Sequence, residues 1–230
     1  MKPGSVSVIV AVFNGEAFIQ DALSSVRHQT VSPFETIVVD DGSTDRTAEF
    51  VQNEPGVTLI RQRNAGASAA RNAAIARASG EWIAFLDADD LWVPHKLERQ
   101  LALANAQPEL DIVLGSHLPF LEKDTACPRW LNPRQLSEGA ETFISSVILA
   151  RRTLFSRIGG FNEAVLFAED FEWIARARAA GVKMAAVPEI VFHKRVHQSN
   201  TTHQLKQAQR TVTQTLMQIV RARRSAGPTP

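Results

Sequence analysis

Hydrophobic positions along this chain alternate between near-continuous apolar runs and runs spaced three and four residues apart. Residues 5–13 form the first continuous run, the pattern of a parallel strand covered on both faces. Phe18, Ala22, Leu23 and Val26 then recur at helical spacing. Residues 34–39 read as a second strand, after which Ser43 or Thr44 can cap a helix. Residues 57–60 form a short third strand. Gly66 opens an alanine-rich helix to about Ser79, residues 81–86 form a fourth strand, 94–106 a helix and 111–114 a fifth strand. Strands separated by helices of this length predict an α/β fold with a central, mostly parallel sheet and right-handed crossovers.

The second half is less regular. Residues 115–140 are rich in proline and polar side chains and too long for an ordinary connection, which marks a functional or poorly ordered loop. Residues 143–150 are strand-like, and 151–158 predict a short helix stopped by Gly159-Gly160. Phe171, Ile174, Ala175 and Arg178 mark a further helix that Gly181 ends. Residues 184–192 are strand-like, with Pro188 as a break. Leu205, Ala208, Val212, Leu216 and Ile219 line one stripe of a terminal helix.

Composition narrows the function classes. The 230 residues are 44% hydrophobic and 21% charged, as in an ordinary globular chain large enough for one sizeable core. A formal charge of +1 gives no global field for nucleic acid. The single cysteine, Cys127, excludes an intramolecular disulfide and fits a reducing cytosol. No apolar run approaches the ~20 residues that span a bilayer, and the N-terminus lacks a signal-peptide pattern. Charge is uneven, however. After Glu189 there is no acid, while Lys194, Arg195, Lys206, Arg210, Arg221, Arg223 and Arg224 follow.

The candidate chemistry lies at strand ends, where open parallel sheets bind ligands. The first strand ends Ala11-Val12-Phe13-Asn14-Gly15, a turn signal before a helix. The second ends in Asp40-Asp41-Gly42, where one acid serves the turn and the other can accept hydrogen bonds from a base or ribose. The third leads into Gly66 and a helix N-terminus that attracts anions, with Arg71 adding charge inside an otherwise apolar helix. The fourth ends Phe85-Leu86-Asp87-Ala88-Asp89-Asp90. On an extended backbone Asp87 and Asp89 point the same way and suit a hard divalent cation that carries phosphate, whereas Asp90 points away. The competing reading is that these acids, Asp90 above all, cap the helix that Pro94 begins. Neither a GxxxxGK[ST] loop nor a GxGxxG fingerprint is present.

The segments Val-Ser-Val-Ile-Val-Ala-Val-Phe-Asn, Val-Val-Asp-Asp-Gly-Ser-Thr-Asp, Asn-Ala-Gly-Ala-Ser-Ala-Ala-Arg-Asn and Phe-Leu-Asp-Ala-Asp-Asp, in this order within about 90 residues, resemble family 2 glycosyltransferases. The resemblance continues through Glu169-Asp170 to His197. It implies the GT-A fold, a Rossmann-like mostly parallel sheet flanked by helices, with a C-terminal acceptor-side portion and a terminal helix. It implies one domain over residues 1–224. Within it, 1–115 would bind a nucleotide-sugar, 116–200 would form the acceptor and catalytic half, and 201–224 the terminal helix, before a tail at 225–230. It also implies site roles. Ala11, Asn14, Asp41, Arg71, Asp87 and Arg195 would bind the donor. Asp89 and His197 would hold Mg²⁺ or Mn²⁺. Asp170 would be the base of an inverting transfer, with Glu169 and Trp173 on the acceptor side, although a core role for Trp173 is equally open. The implied donor is a UDP-sugar, and the acceptor a glycan or lipid-linked saccharide in a bacterial-type cytoplasm. The basic terminal helix is expected to pack on the domain with a bias toward anionic lipid at the inner membrane face, or to form a dimer seam. A nucleotidyltransferase would carry a glycine-rich basic first loop, which Asn14-Gly15-Glu16 is not. A silent binding module would lack Asp89 or Asp170.

Overall fold

The computed structural model describes residues 4–129, 131–198, 200 and 213. The expected helix over 201–224 and the tail lie outside these, apart from Thr213. Elements run in the order β1 (Val6–Val12), α1 (Ile19–Arg27), β2 (Glu35–Asp40), α2 (Thr47–Gln52), β3 (Val57–Arg61), α3 (Ala67–Arg77), β4 (Trp82–Asp87), β5 (Leu91–Trp92) and α4 (Lys96–Ala106). They continue with β6 (Ile112–Leu121), α5 (Gln135–Glu138), β7 (Ala140–Glu141), β8 (Leu149–Arg151), α6 (Arg152–Ile158), α7 (Glu169–Ala179) and β9 (Met184–Val196). The sheet order is β3-β2-β1-β4-β8-β6-β9-β5, with β7 beside β6.

The first four strands pair in parallel, as their continuous apolar runs require. Val8, Ile9 and Val10 of β1 are buried, as are Ile37, Val38 and Val39 of β2. Helix α1 buries its Ile19, Ala22, Leu23 and Val26 stripe. Helix α3 buries Ala70 and Ala74, small side chains that let it lie close to β1 and β2. Gly80 follows because an added Cβ would stand 2.7 Å from Ser7 N.

The second half departs from its sequence pattern. Strand β6 does not end near Gly115 but runs to Leu121, because β9 pairs with it in parallel along that whole length. Pro188 does not end β9 either. It falls where the register jumps from Leu114↔Ala186 to Ser116↔Ile190, a bulge in which a missing N–H breaks no ladder bond. Residues 143–150 form no continuous strand. A 3₁₀ turn over Ser145–Val147 precedes the short β8, which runs antiparallel between β4 and β6. The brief β5, also antiparallel, pairs with β9 and extends the sheet at its other end.

One buried charge stands apart from the apolar core. Lys96 is fully buried, donates to Gln100 Oε1 at 2.6 Å and lies 4.8 Å from the Trp92 ring centroid. With no carboxylate paired to it among the described residues, burial lowers its pKa to about 7. Between about 7 and its ordinary value the unfolded chain holds a proton that the folded one releases, so stability rises with pH across that window. Lys96→Met is therefore expected to stabilise the protein by about 2 kcal/mol near pH 6.5. The gain should fade toward pH 9.5, and urea unfolding at the two pH values checks it.

Candidate active site

The carboxyl ends of β1, β2 and β4 converge with α7 and the end of β9. At β1, Ala11 sits between Val39 of β2 and Asp87 of β4. Asn14 takes a left-handed φ of 50°, donates its main-chain N–H to Ser43 Oγ at 2.8 Å and accepts from Thr44 N at 2.9 Å. Ser43 therefore fastens the first loop and leaves helix capping to Asp45, which accepts from Thr47 N. At β2, both acids are buried. Asp40 accepts from Ser43 N and pairs with Arg61. Asp41 accepts from Gln62 Nε2, Ala65 N and Gly66 N at 2.7, 2.9 and 2.8 Å. It thereby holds the loop that opens α3 and keeps a lone-pair direction for a further donor. Gly42 is required beside it, since its φ of 84° is left-handed and a Cβ would meet Asn64 N at 2.9 Å.

The Asp87-Ala88-Asp89-Asp90 segment differs from the extended-strand expectation. β4 ends at Asp87, and Asp90 N donates to Asp87 O in a turn. The two outer carboxylates consequently face different partners. Asp87 Oδ1 accepts from Arg71 at 2.8 Å and from Ser145 Oγ at 3.1 Å. Asp89 Oδ2 accepts from Asn200 Nδ2 at 3.2 Å and lies 3.0 Å from His197 Nε2. Burial works to raise Asp89, but the His197 hydrogen bond and the nearby Lys194 charge outweigh it and lower its pKa. Asp90 caps no helix. It is fully buried, accepts from Arg195 N at 2.9 Å, and is pushed well above the usual carboxylate range by burial.

Arg71 links the two halves of the site. It is buried in α3 and bonds Asp87 on β4 and Glu169 on α7, the latter at 2.5 Å. Burial opposes its charge, but Asp87, Glu169 and Asp170 outweigh that and raise its pKa. Asp170 is half-buried at the start of α7 and accepts from Ser145 N at 3.1 Å. Burial, followed by repulsion from Glu169, raises its carboxyl to about 7. Ala168, just before the pair, holds a left-handed φ of 60° that turns both acids into the site.

Two expectations are corrected. Trp173 offers no acceptor platform. It is fully buried, stacks on Phe155 at 4.8 Å and donates its indole N–H to Gly159 O at 3.0 Å. Arg195 does not present its guanidinium to a phosphate. It is buried between the Phe18 and Phe120 rings, pairs with Asp21 and Glu122, and donates to Asp89 O at 2.9 Å. It braces the acidic turn instead. Ser145, Ser146 and Asn200 went unnoticed in the sequence, because small polar residues in irregular segments carry no periodic signal. Asn200 is bound through its Oδ1 by His197 N at 2.6 Å.

The donor set fits a hard divalent cation in part. Asp87 and Asp89 keep 29% and 31% of their side chains exposed, and Asp87 Oδ2 has no protein hydrogen bond among the described residues. No three His, Cys, Asp or Glu side chains among the described residues converge into a complete cage, so phosphate oxygens or water would finish the shell.

A family model described as Glycosyl transferase family 2 matches residues 7–157. The uncharacterized glycosyltransferase EpsJ of Bacillus subtilis (strain 168) is 36% identical over 200 residues, covering 78% of this chain and 58% of EpsJ. The solved structure of S. aureus TarS 1-349 in complex with UDP-GlcNAc aligns with a TM-score of 0.69 at 24% identity, over 86% of this chain and 60% of that one. The mannosyltransferase PcManGT of Pyrobaculum calidifontis, in complex with GDP-Man and Mn²⁺, aligns with a TM-score of 0.70 at 22% identity, over 98% and 65%. At these identities the likeness shows the fold, the GT-A arrangement of a curled sheet flanked by helices. The chain spans less than two thirds of each of these proteins.

Proposed function

The chain belongs to glycosyl transferase family 2, and from that premise we propose that it transfers a sugar from a nucleoside-diphosphate sugar to an acceptor hydroxyl with inversion at the anomeric carbon. The observation that carries this reading is the chain of contacts Asp87–Arg71–Glu169 that ends beside Asp170, whose pKa near 7 suits a general base. Residues 1–115 supply donor recognition and 116–200 the acceptor and catalytic side. Ala11, Asn14 and Asp41 line the nucleoside end. In the reaction the acceptor oxygen bonds to the anomeric carbon, its proton passes to Asp170, and the bond from that carbon to the β-phosphate oxygen breaks. Glu169, held by Arg71, orients sugar or acceptor. Asp89 with Asp87 and His197 would hold Mg²⁺ or Mn²⁺, which when bound would neutralise the departing diphosphate.

A uridine nucleotide is the favoured donor base, and a glycan or lipid-linked saccharide the favoured acceptor. TarS with UDP-GlcNAc and PcManGT with GDP-Man and Mn²⁺ support a nucleotide-sugar and a divalent ion. No helix among the described residues is long and apolar enough to cross a membrane. We place the protein in the cytoplasm, at the inner membrane face where its basic C-terminal segment favours anionic lipid, and we assign it no nucleic-acid partner. The test is calorimetric binding of UDP and GDP, each with Mn²⁺ or with EDTA. One diphosphate is expected to bind more tightly with Mn²⁺, and Asp89→Ala to remove that metal-dependent gain, about tenfold or more. Failure of the folded protein to bind either nucleotide under both conditions would overturn the donor-site reading.

A further inference from the structure

Asn72 closes the segment Asn-Ala-Gly-Ala-Ser-Ala-Ala-Arg-Asn, directly after Arg71, and the proposed reaction gives it no task. Its half-buried side chain is nonetheless fully engaged. Oδ1 accepts from Phe161 N at 2.9 Å, and Nδ2 donates to Phe161 O at 2.9 Å and to Glu163 Oε1 at 2.9 Å. A carboxamide that accepts from and donates to one residue's main chain stands in for a neighbouring strand. Gly160 fits this grip. Its backbone is not left-handed, yet a Cβ there would collide with Asn72 Oδ1.

The gripped segment leads to the two acids of α7. Residues 162–168 join Phe161 to that helix and form neither helix nor strand, with Leu166 71% exposed among them. Their far end is turned by Ala168 and tied through Glu169 to Arg71. Two consecutive residues of α3 therefore hold the two ends of one irregular segment, Asn72 the near end and Arg71 the far end. Arg71 also lies 5.5 Å from the Phe161 ring centroid, and that ring packs 5.8 Å from Trp173, one turn beyond Asp170. Because α3 lies against β1 and β2, both grips belong to the frame of the donor half.

We propose that Asn72 is a positioning residue for the transfer: its grip on Phe161 and Glu163 fixes where the acceptor-side segment leaves the donor half, and thereby where Asp170 stands. This inference rests on the reading of Asp170 as base. A misplacement of about 1 Å can cost a reaction about 10²-fold, so an irregular segment that carries a base needs an anchor at each end. Without the Asn72 grip the segment would be tied at Glu169 alone, and water would reach the Asp170 carboxyl more freely. An asparagine that served only stability would leave that carboxyl unchanged.

That difference sets the experiment. The Asp170 carboxyl carbon is followed by NMR against pH in the wild type, Asn72→Ala, Asn72→Ser, Gly160→Ala and the double variant Asn72→Ala/Gly160→Ala. Amide hydrogen exchange and calorimetry with UDP and GDP in Mn²⁺ accompany it. In the wild type burial holds the Asp170 midpoint at about 7. Asn72→Ala is expected to lower it by about one pH unit or more, because the burial that raises it is weakened. It should also speed exchange of the amides over 161–170 by about tenfold or more and leave nucleotide affinity within about threefold. Gly160→Ala should act in the same direction, and the double variant should go no further than Asn72→Ala, since the added methyl then has room. Asn72→Ser keeps a polar group in the half-buried site but cannot reach Phe161, so it should match Asn72→Ala and serves if the alanine variant does not fold. An Asp170 midpoint unmoved in the folded Asn72 variant, or effects of Asn72→Ala and Gly160→Ala that simply add, would overturn the assignment. Near-normal turnover in Asp170→Asn would instead remove the base reading beneath it, whatever the midpoint does.

Discussion

Asp170→Asn is expected to lower sugar transfer by about 10²–10⁴-fold while nucleoside diphosphate affinity stays within about threefold of wild type. The substitution keeps the size of the side chain and removes the group proposed to take the acceptor proton. The proposed donor contacts sit on Asp41, Asp87 and Asp89, none of which hydrogen-bonds Asp170, so calorimetry and turnover should separate. The pH profile sharpens the test. A base with a pKa of about 7 is half protonated there, so the wild-type rate should climb as pH rises from 6 to 8 and then level. The sign follows from burial and from Glu169, both of which disfavour the charged form. Glu169→Gln removes one of these causes and should move the rising limb to lower pH. A rate independent of pH between 6 and 8, or near-normal turnover in Asp170→Asn, would remove Asp170 from the role of base.

Trp173→Ala should cost about 3–5 kcal/mol of stability, a large share of the total for a domain of ordinary stability. The indole fills the space between Phe155 and Phe161 behind the two acids, and its N–H satisfies Gly159 O. Because it occupies the turn of α7 after Asp170, its loss also loosens the helix start that aims the base. Trp173→Phe keeps most of the packing and should cost about 1–2 kcal/mol, mainly the lost indole hydrogen bond to Gly159 O, which Arg176 Nη1 still reaches at 3.4 Å. In the Phe variant the acceptor KM should not change. A several-fold rise in acceptor KM without a loss of stability would return Trp173 to the acceptor side. Urea unfolding and steady-state kinetics on the same preparation distinguish the two.

The first half of the chain was legible because its signals are local. The near-continuous apolar run 6–12, and the shorter Ile37–Val39 between polar ends, read as buried strands, and the alanines of α3 as a close-packed face. The acids at the strand ends were equally visible, since a carboxylate after five buried apolar residues contradicts the hydrophobic pattern around it. The second half was less legible because its pairings are long-range. Strand β6 runs on to Leu121 because β9, some 70 residues later, covers it, and Pro188 is tolerated only through the bulge which that pairing creates.

Residue types, their order and the parallel-sheet topology were thus determined by the sequence alone, because periodicity and strand-end chemistry are properties of neighbouring positions. The tertiary structure decided which charges are already neutralised. Arg71 and Arg195 look alike in the sequence, yet one links Asp87 to Glu169 and the other is sandwiched between Phe18 and Phe120 with its own acids. Lys194, visible in the sequence only as part of a basic run, is half-buried on β9, where the carboxylates of Asp90, Asp87 and Asp89 favour its charge against burial. The physical reason is that charge pairing and burial are set by distance in space. Elements remote in sequence bring Asp21, Glu122 and Asp89 together with Arg195, His197 and Asn200, and no local pattern encodes that meeting.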